Sequence, residues 1–392
     1  MDAKSTIETT KHSTLYGCCS VPAKEIVVAG GAGLNKVAYS FDGKTWYPST
    51  TGNALFGDLG TCTAVGYNSK IWVIGGNYKN NSVSSTGSMG YSMDGITWVS
   101  SPSNVFGASG NCFTVASNGQ IWLAGGNGST NLAYSSDGIS WTSLQSLLPV
   151  SSYCYSLAWN GTVWVAGLGN SYSTPLAWST DPTSTWNLVT NPFGGSPDCH
   201  CVFYSQGQWL ASANNASNNI LATSTDGKTW TGISKTNQSG AGSECHVVSS
   251  NCALWLIGVG TQSLMYSGDG IVFTTSLTAK TLFGNGTGHG YSLLWTGAFW
   301  IAGGDDLTSS RKGKILYSKD GITWESTQGT NLFAFHTFSI GDSEGSVRTL
   351  ATNFRKTACV ITHPKFSSYS EYYVWKRVNA QKHDVTWSPC NC

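Results

Sequence analysis

The chain has 392 residues, of which only 10% are charged, and its formal net charge at pH 7 is +1. This near-neutral balance excludes the strong positive field that is typical of nucleic-acid-binding proteins. An apolar share of 40% excludes a disordered chain, and a chain of this length with one architecture is expected to contain internal repeats.

Residues 1–13 carry no strand pattern and are expected to form an N-terminal arm. They lack the apolar core of a secretion signal. No run in the chain approaches the roughly 20 apolar residues of a membrane-spanning helix. We therefore expect neither secretion by a signal peptide nor membrane insertion.

From residue 14 onward one phrase recurs along the chain. It reads VAYSFDGKTW at 37–46, MGYSMDGITW at 89–98, LAYSSDGISW at 132–141 and ILYSKDGITW at 315–324. Seven copies align, and their aspartates are Asp42, Asp94, Asp137, Asp181, Asp226, Asp269 and Asp320. The spacings between them are 52, 43, 44, 45, 43 and 51 residues. A period near 44 is typical of a four-stranded propeller blade and not of a helical repeat.

Each repeat also has the pattern of four strands. In the third repeat, CFTVAS turns at an Asn-Gly pair into IWLAGG, and NLAYS turns at an Asp-Gly pair into SWTSL. These dipeptides favour two-residue hairpin turns because they tolerate positive φ. The sequence therefore predicts an all-β fold, a seven-bladed β-propeller of four-stranded antiparallel blades over residues 14–334.

Residues 335–392 form a C-terminal extension with more than one interpretation. FHTFSIGD at 335–342, VRTLATN at 347–353 and HDVTW at 383–387 resemble a degenerate eighth blade, or else these strands close the ring or dock outside it. Residues 346–392 also hold seven basic against two acidic residues, a net charge of +5 that leaves −4 for the rest. We expect this basic tail to dock on an acidic partner.

The recurring phrase resembles the S-x-D-x-G-x-T-W motif of the Asp-box, or BNR-repeat, propeller family. At least five of the seven copies are shortened, as at 40–46, because they lack the spacer between Asp and Gly. The fourth copy, STDPTSTW, has no such Gly, and the sixth ends in Phe273. The resemblance covers residues 14–326 and implies a fold motif: Ser and Asp bond to local backbone, Gly takes the left-handed conformation, and Trp fills the space between sheets.

The charged residues bear on two classes of enzyme, the sialidases and the glycoside hydrolases. Sialidases of this superfamily bind the substrate carboxylate with three arginines from separate blades, but only Arg311 of the four arginines lies within the seven repeats. A glycoside hydrolase needs two facing carboxylates. Asp198 and Glu244 occupy equivalent places just before the first strands of adjacent repeats and are the candidate pair, unless they are two solvated acids at a channel mouth. We expect no catalytic residues and no enzymatic activity.

A cysteine lies ten residues before the second-strand Trp in five repeats. These cysteines are Cys62, Cys112, Cys154, Cys199 and Cys245. The first strand of a propeller blade is innermost, so they should form an arc around the axis. A zinc site would add His200, His246 and His289, but ligands spread around a wide ring lack the short spacings of zinc sites. We expect small packed residues, and no metal or other cofactor.

Insertions favour one face for binding. The connections between second and third strands are long in repeat two (77–90) and repeat seven (305–313), and they share a face with the crossings between blades. Variable loops on one side of a repeat array usually mark its interaction surface. The binding candidates are the loop aromatics Tyr78 and Tyr172, the strand-end Trp159 and Trp295, and the acids Asp198 and Glu244.

The low-charge, Asn- and Ser-rich repeats are also similar in texture to propeller proteins of large DNA viruses. That resemblance implies a component of a virion or particle surface, with a cytoplasmic location as the alternative. The sequence therefore predicts a non-catalytic display or assembly propeller whose protein partners are bound through 346–392. A glycan-binding adhesin is the first alternative, and a glycoside hydrolase is the second.

Overall fold

A computed structural model describes residues 25–80, 86–149, 151–170, 173–238, 240, 242–260, 262–306, 312–328, 333 and 347–352. Within these residues, 28 strands form seven four-stranded antiparallel sheets. The predicted fold, an all-β seven-bladed propeller, is confirmed. No helix in the described part of the chain is both long and apolar enough to cross a membrane.

The blades follow one another along the chain. Blade 2 comprises β4 (Thr61–Tyr67), β5 (Trp72–Tyr78), β6 (Thr86–Ser92) and β7 (Val99–Ser100). Blade 3 comprises β8 (Asn111–Ser117), β9 (Trp122–Asn127), β10 (Leu132–Ser135) and β11 (Thr142–Ser143). Blade 4 comprises β12 (Tyr153–Trp159), β13 (Trp164–Gly169), β14 (Leu176–Ser179) and β15 (Asn187–Val189).

Blades 5 to 7 repeat this order. Blade 5 comprises β16 (Gly195–Ser205), β17 (Gln208–Ala216), β18 (Leu221–Ser224) and β19 (Thr231–Ile233). Blade 6 comprises β20 (Cys245–Ser250), β21 (Trp255–Val259), β22 (Leu264–Ser267) and β23 (Thr274–Thr275). Blade 7 comprises β24 (Gly290–Trp295), β25 (Trp300–Asp306), β26 (Lys312–Ser318) and β27 (Glu325–Ser326).

Blade 1 takes its innermost strand from the other end of the chain. It comprises β1 (Val27–Gly31), β2 (Val37–Ser40), β3 (Trp46–Pro48) and β28 (Val347–Thr352). β28 pairs antiparallel with β1 and lies between the innermost strands β4 and β24, which completes the ring. This strand belongs to the stretch interpreted above as a C-terminal extension, and of the alternatives given there it closes the ring. Among the described residues there is no eighth sheet.

Two short helices lie in the crossings between blades. They are α1 (Thr50–Ala54) and α2 (Leu277–Leu282), and a 3-10 turn spans Lys235–Gln238. Each helix begins with a serine N-cap, because Ser49 Oγ accepts from the Gly52 N–H and Ser276 Oγ from the Ala279 N–H. Helices of five or six residues are too short to show a helical period in the sequence.

The core lies between neighbouring blades. Second strands are buried on both faces; in β9, for example, the first five residues are all buried. One apolar cluster joins three blades through Val165, Trp209 and Ile257. Burial of large aromatic side chains at these interfaces supplies much of the apolar area that stabilises the ring.

The recurring phrase forms a local hydrogen-bonded turn between the third and outermost strands, called here the box turn (residues 135–141 in blade 3). Ser135 Oγ donates to Asp137 Oδ1 at 2.8 Å and accepts from the Gly138 N–H at 2.8 Å. Asp137 Oδ1 also accepts from the N–H groups of Ile139 and Ser140. These are the local backbone bonds that the motif predicts.

The glycine of the box turn lies directly on a buried tryptophan. Gly138 has a φ of +78°, and a Cβ there would approach the indole nitrogen of Trp122 to 3.0 Å. Both the positive φ and the close approach exclude a side chain. The box turn therefore fixes the blade's outer hairpin against its own second strand.

Candidate functional site

The innermost strands share a β-bulge at one position. In β12, Cys154 pairs with Leu168 and Ser156 pairs with Gly167, which leaves Tyr155 unpaired in the ladder. The same register shift occurs in blades 2, 3, 5, 6 and 7. The residues that it leaves unpaired are Thr63, Phe113, His200, His246 and Tyr291. In blade 1 it leaves over Arg348 of β28. A bulge changes the direction of the extra side chain, and bulges are frequent beside functional sites.

The bulged residues of blades 3 to 7 all carry rings, and these rings contact one another from blade to blade. The set, called here the aromatic arc, is Phe113, Tyr155, His200, His246 and Tyr291. The centroid distances between successive members are 4.9, 4.5, 6.0 and 4.8 Å. All five side chains are half-buried. Because innermost strands surround the axis of a propeller, the arc lines five of the seven sectors of the central channel.

A second tier of side chains lies two residues before each bulge, where the crossing from the preceding blade enters the innermost strand. This tier, called here the rim, consists of Thr61, Asn111, Tyr153, Asp198, Glu244 and His289. The rim is therefore on the face that carries the crossings, here the loop face. The box turns lie at the other ends of the strands, on the opposite face. The candidate acids Asp198 and Glu244 are at equivalent rim positions of blades 5 and 6.

The two candidate acids have different surroundings. Asp198 Oδ1 accepts the backbone N–H of Asn170 at 2.8 Å, which ties it to blade 4. Glu244 Oε2 lies 3.6 Å from His246 Nε2 and 3.6 Å from His289 Nε2. The structure thus places Glu244 among histidines, whereas Asp198 is engaged by backbone.

Two more polar side chains lie near the Nδ1 atoms of these histidines, which are the ring nitrogens that do not face Glu244. The buried Asp305 has Oδ1 at 3.6 Å from His289 Nδ1, and Asn214 Nδ2 is 3.2 Å from His246 Nδ1. The donor atoms of Glu244, His246 and His289 all lie within 4.8 Å of one another. This group, called here the Glu244 cluster, has the donor types of a metal site.

The histidines keep Glu244 ionised. The adjacent His246 is the largest cause that lowers the pKa of Glu244; partial burial opposes it, and the charges of His289 and His200 add to the lowering. A carboxyl group with a lowered pKa is a poor general acid at neutral pH.

Trp159 and Trp295 lie far along the innermost strands, at the box-face end. Trp159 packs on Trp164 with ring centroids 5.3 Å apart, and Trp295 packs on Trp300 at 5.2 Å, both with tilted ring planes. Both are therefore cross-strand partners of the second-strand tryptophans. Neither belongs to the aromatic arc.

The loop candidates lie apart from the Glu244 cluster. Tyr78 is half-buried at the end of β5, and its hydroxyl accepts from Asn80 Nδ2 at 2.7 Å. Tyr172 lies outside the described residues. A polar cleft of about 290 Å³ opens on the same face between blades 3 and 4, lined in part by Asn131, Gln145 and Tyr153.

The recurring cysteines are fully buried between blades. A Cβ on Gly75 of blade 2 would meet Cys112 Sγ of blade 3 at 2.4 Å, and Gly125 faces Cys154 in the same way. Burial raises the pKa of these thiols, to about 12 for Cys154. The cysteines are the small packed residues that we predict, but they face the preceding blade and not the channel.

The sequence contains a signal for the aromatic arc. The residue after each recurring cysteine is Phe, Tyr or His in blades 3 to 6, and Tyr291 follows Gly290 at the same place. His246 and His289 were considered only as partners of the cysteines. The bulge of β20 turns His246 away from Cys245, and His289 meets Glu244 from the rim of blade 7.

Comparison with known proteins identifies the fold and nothing finer. No protein-family model and no curated protein matches the chain. The solved structure of YCF48 bound to D1 peptide is 14% identical with a TM-score of 0.51, covering 81% of this chain and 91% of that one. YCF48 from Cyanidioschyzon merolae is 13% identical with a TM-score of 0.47, covering 69% of this chain and 86% of that one.

An enzyme is among the similar structures as well. The GH74 xyloglucanase from Xanthomonas campestris is 14% identical with a TM-score of 0.48, covering 81% of this chain and 66% of that one. Identities this low support a common fold alone. That fold is the β-propeller.

Proposed function

We propose that the chain is a non-catalytic binding propeller of a larger assembly, which takes a segment of a protein partner at the loop-face mouth of its channel. The aromatic arc is the observation that carries this proposal. Five ring side chains in contact and half-buried form a continuous surface beside the axis. Aromatic groups held in this way are typical of the energetic centre of protein interfaces.

The rim gives the expected partner its chemistry. Glu244 is 43% exposed and ionised. It lies on the rim, next to the aromatic arc that contains Tyr155 and Tyr291. We infer that the partner segment is extended and carries an aromatic or aliphatic anchor next to a basic residue. YCF48, a propeller of similar fold, has been solved bound to D1 peptide, so the fold is compatible with a peptide ligand.

The surroundings of Glu244 and Asp198 favour a binding role over hydrolysis. A glycoside hydrolase requires one carboxyl group with a raised pKa as its general acid. The pKa of Glu244 is lowered, and Asp198 accepts a backbone N–H. These surroundings suit charge recognition at a mouth.

The proposal keeps the other parts of the sequence-based interpretation. We infer that the box turn is a shortened Asp-box, because its Ser, Asp and Gly make the local bonds of that motif. We also infer display at a virion or particle surface, with docking through the basic tail. Because 347–352 form β28 of the ring, the docking part of the tail is 353–392, which still holds six basic against two acidic residues.

The test is selection of peptides from a random displayed library on the full-length chain. We expect selected peptides to lose at least about tenfold in affinity, about 1.4 kcal/mol, when Tyr155→Ala removes the centre of the arc. Tyr47→Ala is the matched control, since Tyr47 is an exposed tyrosine on an outermost strand. A library that yields no binder, or peptides that bind both variants as they bind the wild type, would contradict the proposal.

Glycan binding remains a second candidate because of the polar cleft between blades 3 and 4. Its amide and hydroxyl groups, with Tyr153 at one side, suit an uncharged sugar. A glycan array probed with the wild type and with Gln145→Ala tests it. Signals that disappear in Gln145→Ala support the cleft as a glycan site, and signals that persist, or an empty array, count against it.

A further inference from the structure

Two of the donor separations in the Glu244 cluster are close to those of ligands that share one ion, and all three lie within 4.8 Å. Zinc bonds of about 2.0–2.1 Å at tetrahedral angles place neighbouring donor atoms about 3.3–3.4 Å apart. The two measured separations from Glu244 Oε2, to His246 Nε2 and to His289 Nε2, are both 3.6 Å. Glu244 and His289 lie directly before β20 and β24, and His246 lies in β20, so the starts of two innermost strands set this spacing.

Two of the donor atoms, Glu244 Oε2 and His289 Nε2, lie next to a residue without a side chain, Gly260. A Cβ built on Gly260 would lie 3.5 Å from Glu244 Oε2 and 3.6 Å from His289 Nε2. The equivalent residues of the neighbouring blades are Asn214 and Asp305. The glycine therefore leaves room where its neighbours fill the rim.

The Nδ1 atom of each histidine faces a polar side chain, at 3.6 Å for His289, which is beyond hydrogen-bond distance, and at 3.2 Å for His246. Metal-binding imidazoles commonly donate the other ring N–H to a carboxylate or carbonyl oxygen, which orients the ring. Asp305 Oδ1 faces His289 Nδ1 at 3.6 Å. Asp305 is only 4% exposed, so this carboxylate is a fixed part of the site.

Asn214 can serve His246 in the same way. Its Nδ2 lies 3.2 Å from His246 Nδ1, and its buried Oδ1 has no hydrogen-bond partner in the described part of the protein. Amide oxygen and nitrogen exchange places by a 180° flip. After the flip, Oδ1 accepts from the Nδ1–H of His246, and the Nε2 lone pair points to the cluster.

We propose that Glu244 Oε2, His246 Nε2 and His289 Nε2 bind one divalent transition-metal ion of the zinc class at the loop-face mouth of the channel. Two histidines and one glutamate form a ligand set that zinc uses with a fourth, open position. Glu244 is 43% exposed, so the ion can enter from the mouth. The bound ion joins blades 6 and 7 and offers its open position to water or to a donor group of a partner. This inference does not depend on the proposed function. Where the ion is bound it occupies the Glu244 carboxylate, and a donor group of the partner at the open position replaces the basic residue proposed above.

The test is metal binding by the full-length chain after treatment with a chelator. We expect one Co²⁺ or Zn²⁺ per chain by calorimetry, with a Co²⁺ visible spectrum that lacks a thiolate charge-transfer band. That spectrum separates this site from the thiols of the chain. We expect Glu244→Gln, which keeps the side-chain shape, and His289→Asn each to weaken binding by at least about 100-fold.

Two further variants complete the experiment. Asp305→Asn should weaken binding by about 10- to 100-fold, the usual effect of losing an orienting partner. Glu325→Gln is the matched control for Glu244→Gln, since Glu325 is an exposed glutamate on the outermost strand of blade 7 and pairs with Lys44, and it should leave the affinity unchanged. Circular dichroism verifies that each variant is folded. Absence of binding by the wild type, or equal affinity in wild type and Glu244→Gln, would overturn the proposal.

Discussion

At the scale of single residues, the aspartate of each box turn acts as a local acceptor. Asp226 Oδ1 accepts the N–H groups of Lys228 and Thr229, both at 2.8 Å. Asp181 in blade 4 departs from this pattern, because its carboxylate accepts one backbone N–H, from Thr183 at 3.2 Å. The missing glycine in the sequence of the fourth copy thus corresponds to a different set of bonds.

This difference gives a matched pair of variants. We expect Asp226→Ala to lower the free energy of unfolding by about 1–2 kcal/mol, because two turn N–H groups lose their charged acceptor. Asp181→Ala should cost less than Asp226→Ala, because the Asp181 carboxylate accepts a single backbone N–H. Urea unfolding of both variants provides the measurement. Equal losses would show that the box aspartate has no special role in the turn.

The same carboxylates predict a dependence of stability on pH. The Thr229 N–H is the largest cause that lowers the pKa of Asp226, and the pKa is also lowered at the other six box aspartates. A pKa that is lower in the folded state stabilises the fold above the unfolded value, near 3.9. That stabilisation is lost as the pH falls through the folded pKa.

We therefore expect the urea midpoint to decrease between about pH 4 and pH 2, with no contribution from these groups between pH 5 and 7. Asp226→Asn should reduce the decrease, since it removes one of the titrating groups. Midpoints measured at pH 5 and pH 3 test this expectation. A midpoint that is the same at both values would contradict it.

The residues of the site could be predicted only in part. Glu244 and Asp198 were predicted because they are acids at equivalent places before a strand. Tyr155 was not predicted, since the regular alternation of a strand directs neighbours to opposite faces, and the bulge breaks this alternation. A bulge depends on the partner strand, which a local pattern does not contain.

At the scale of elements, the ring depends on a strand from the other end of the chain. β28 pairs with β1 from Val27 opposite Thr352 to Gly31 opposite Val347. The six blades built from consecutive residues were predictable because their hairpin turns are local. The sequence does not decide between ring closure by β28 and the other interpretations of this stretch. Contacts between residues about 320 positions apart have no local signal.

Truncation tests the role of this strand. Removal of 353–392 keeps β28, whereas removal of 347–392 exposes the inner edge of β1. We expect the longer deletion to cost at least about 3 kcal/mol of unfolding free energy, because several buried backbone groups lose partners at about 1–3 kcal/mol each. Thermal unfolding of the two truncated chains is the measurement, and the shorter deletion is the control. Equal stability of both chains would show that β28 is dispensable.

At the scale of the whole molecule, the two faces of the ring carry different features. The box turns on one face hold each outer hairpin to its blade. The rim, the Glu244 cluster and the polar cleft all lie on the loop face, where the crossings enter the innermost strands. A common fold leaves both faces available, so the proposal that the loop face binds a partner rests on its side chains.

Hydrogen–deuterium exchange on the full-length chain, with and without a peptide selected on the wild type, tests this account most directly. We predict that the peptide slows exchange at the starts of the innermost strands, around residues 153–155, 198–200, 244–246 and 289–291. Exchange at the box turns, such as 135–141, should not change. Protection at the box turns with none at the loop-face mouth would contradict the account.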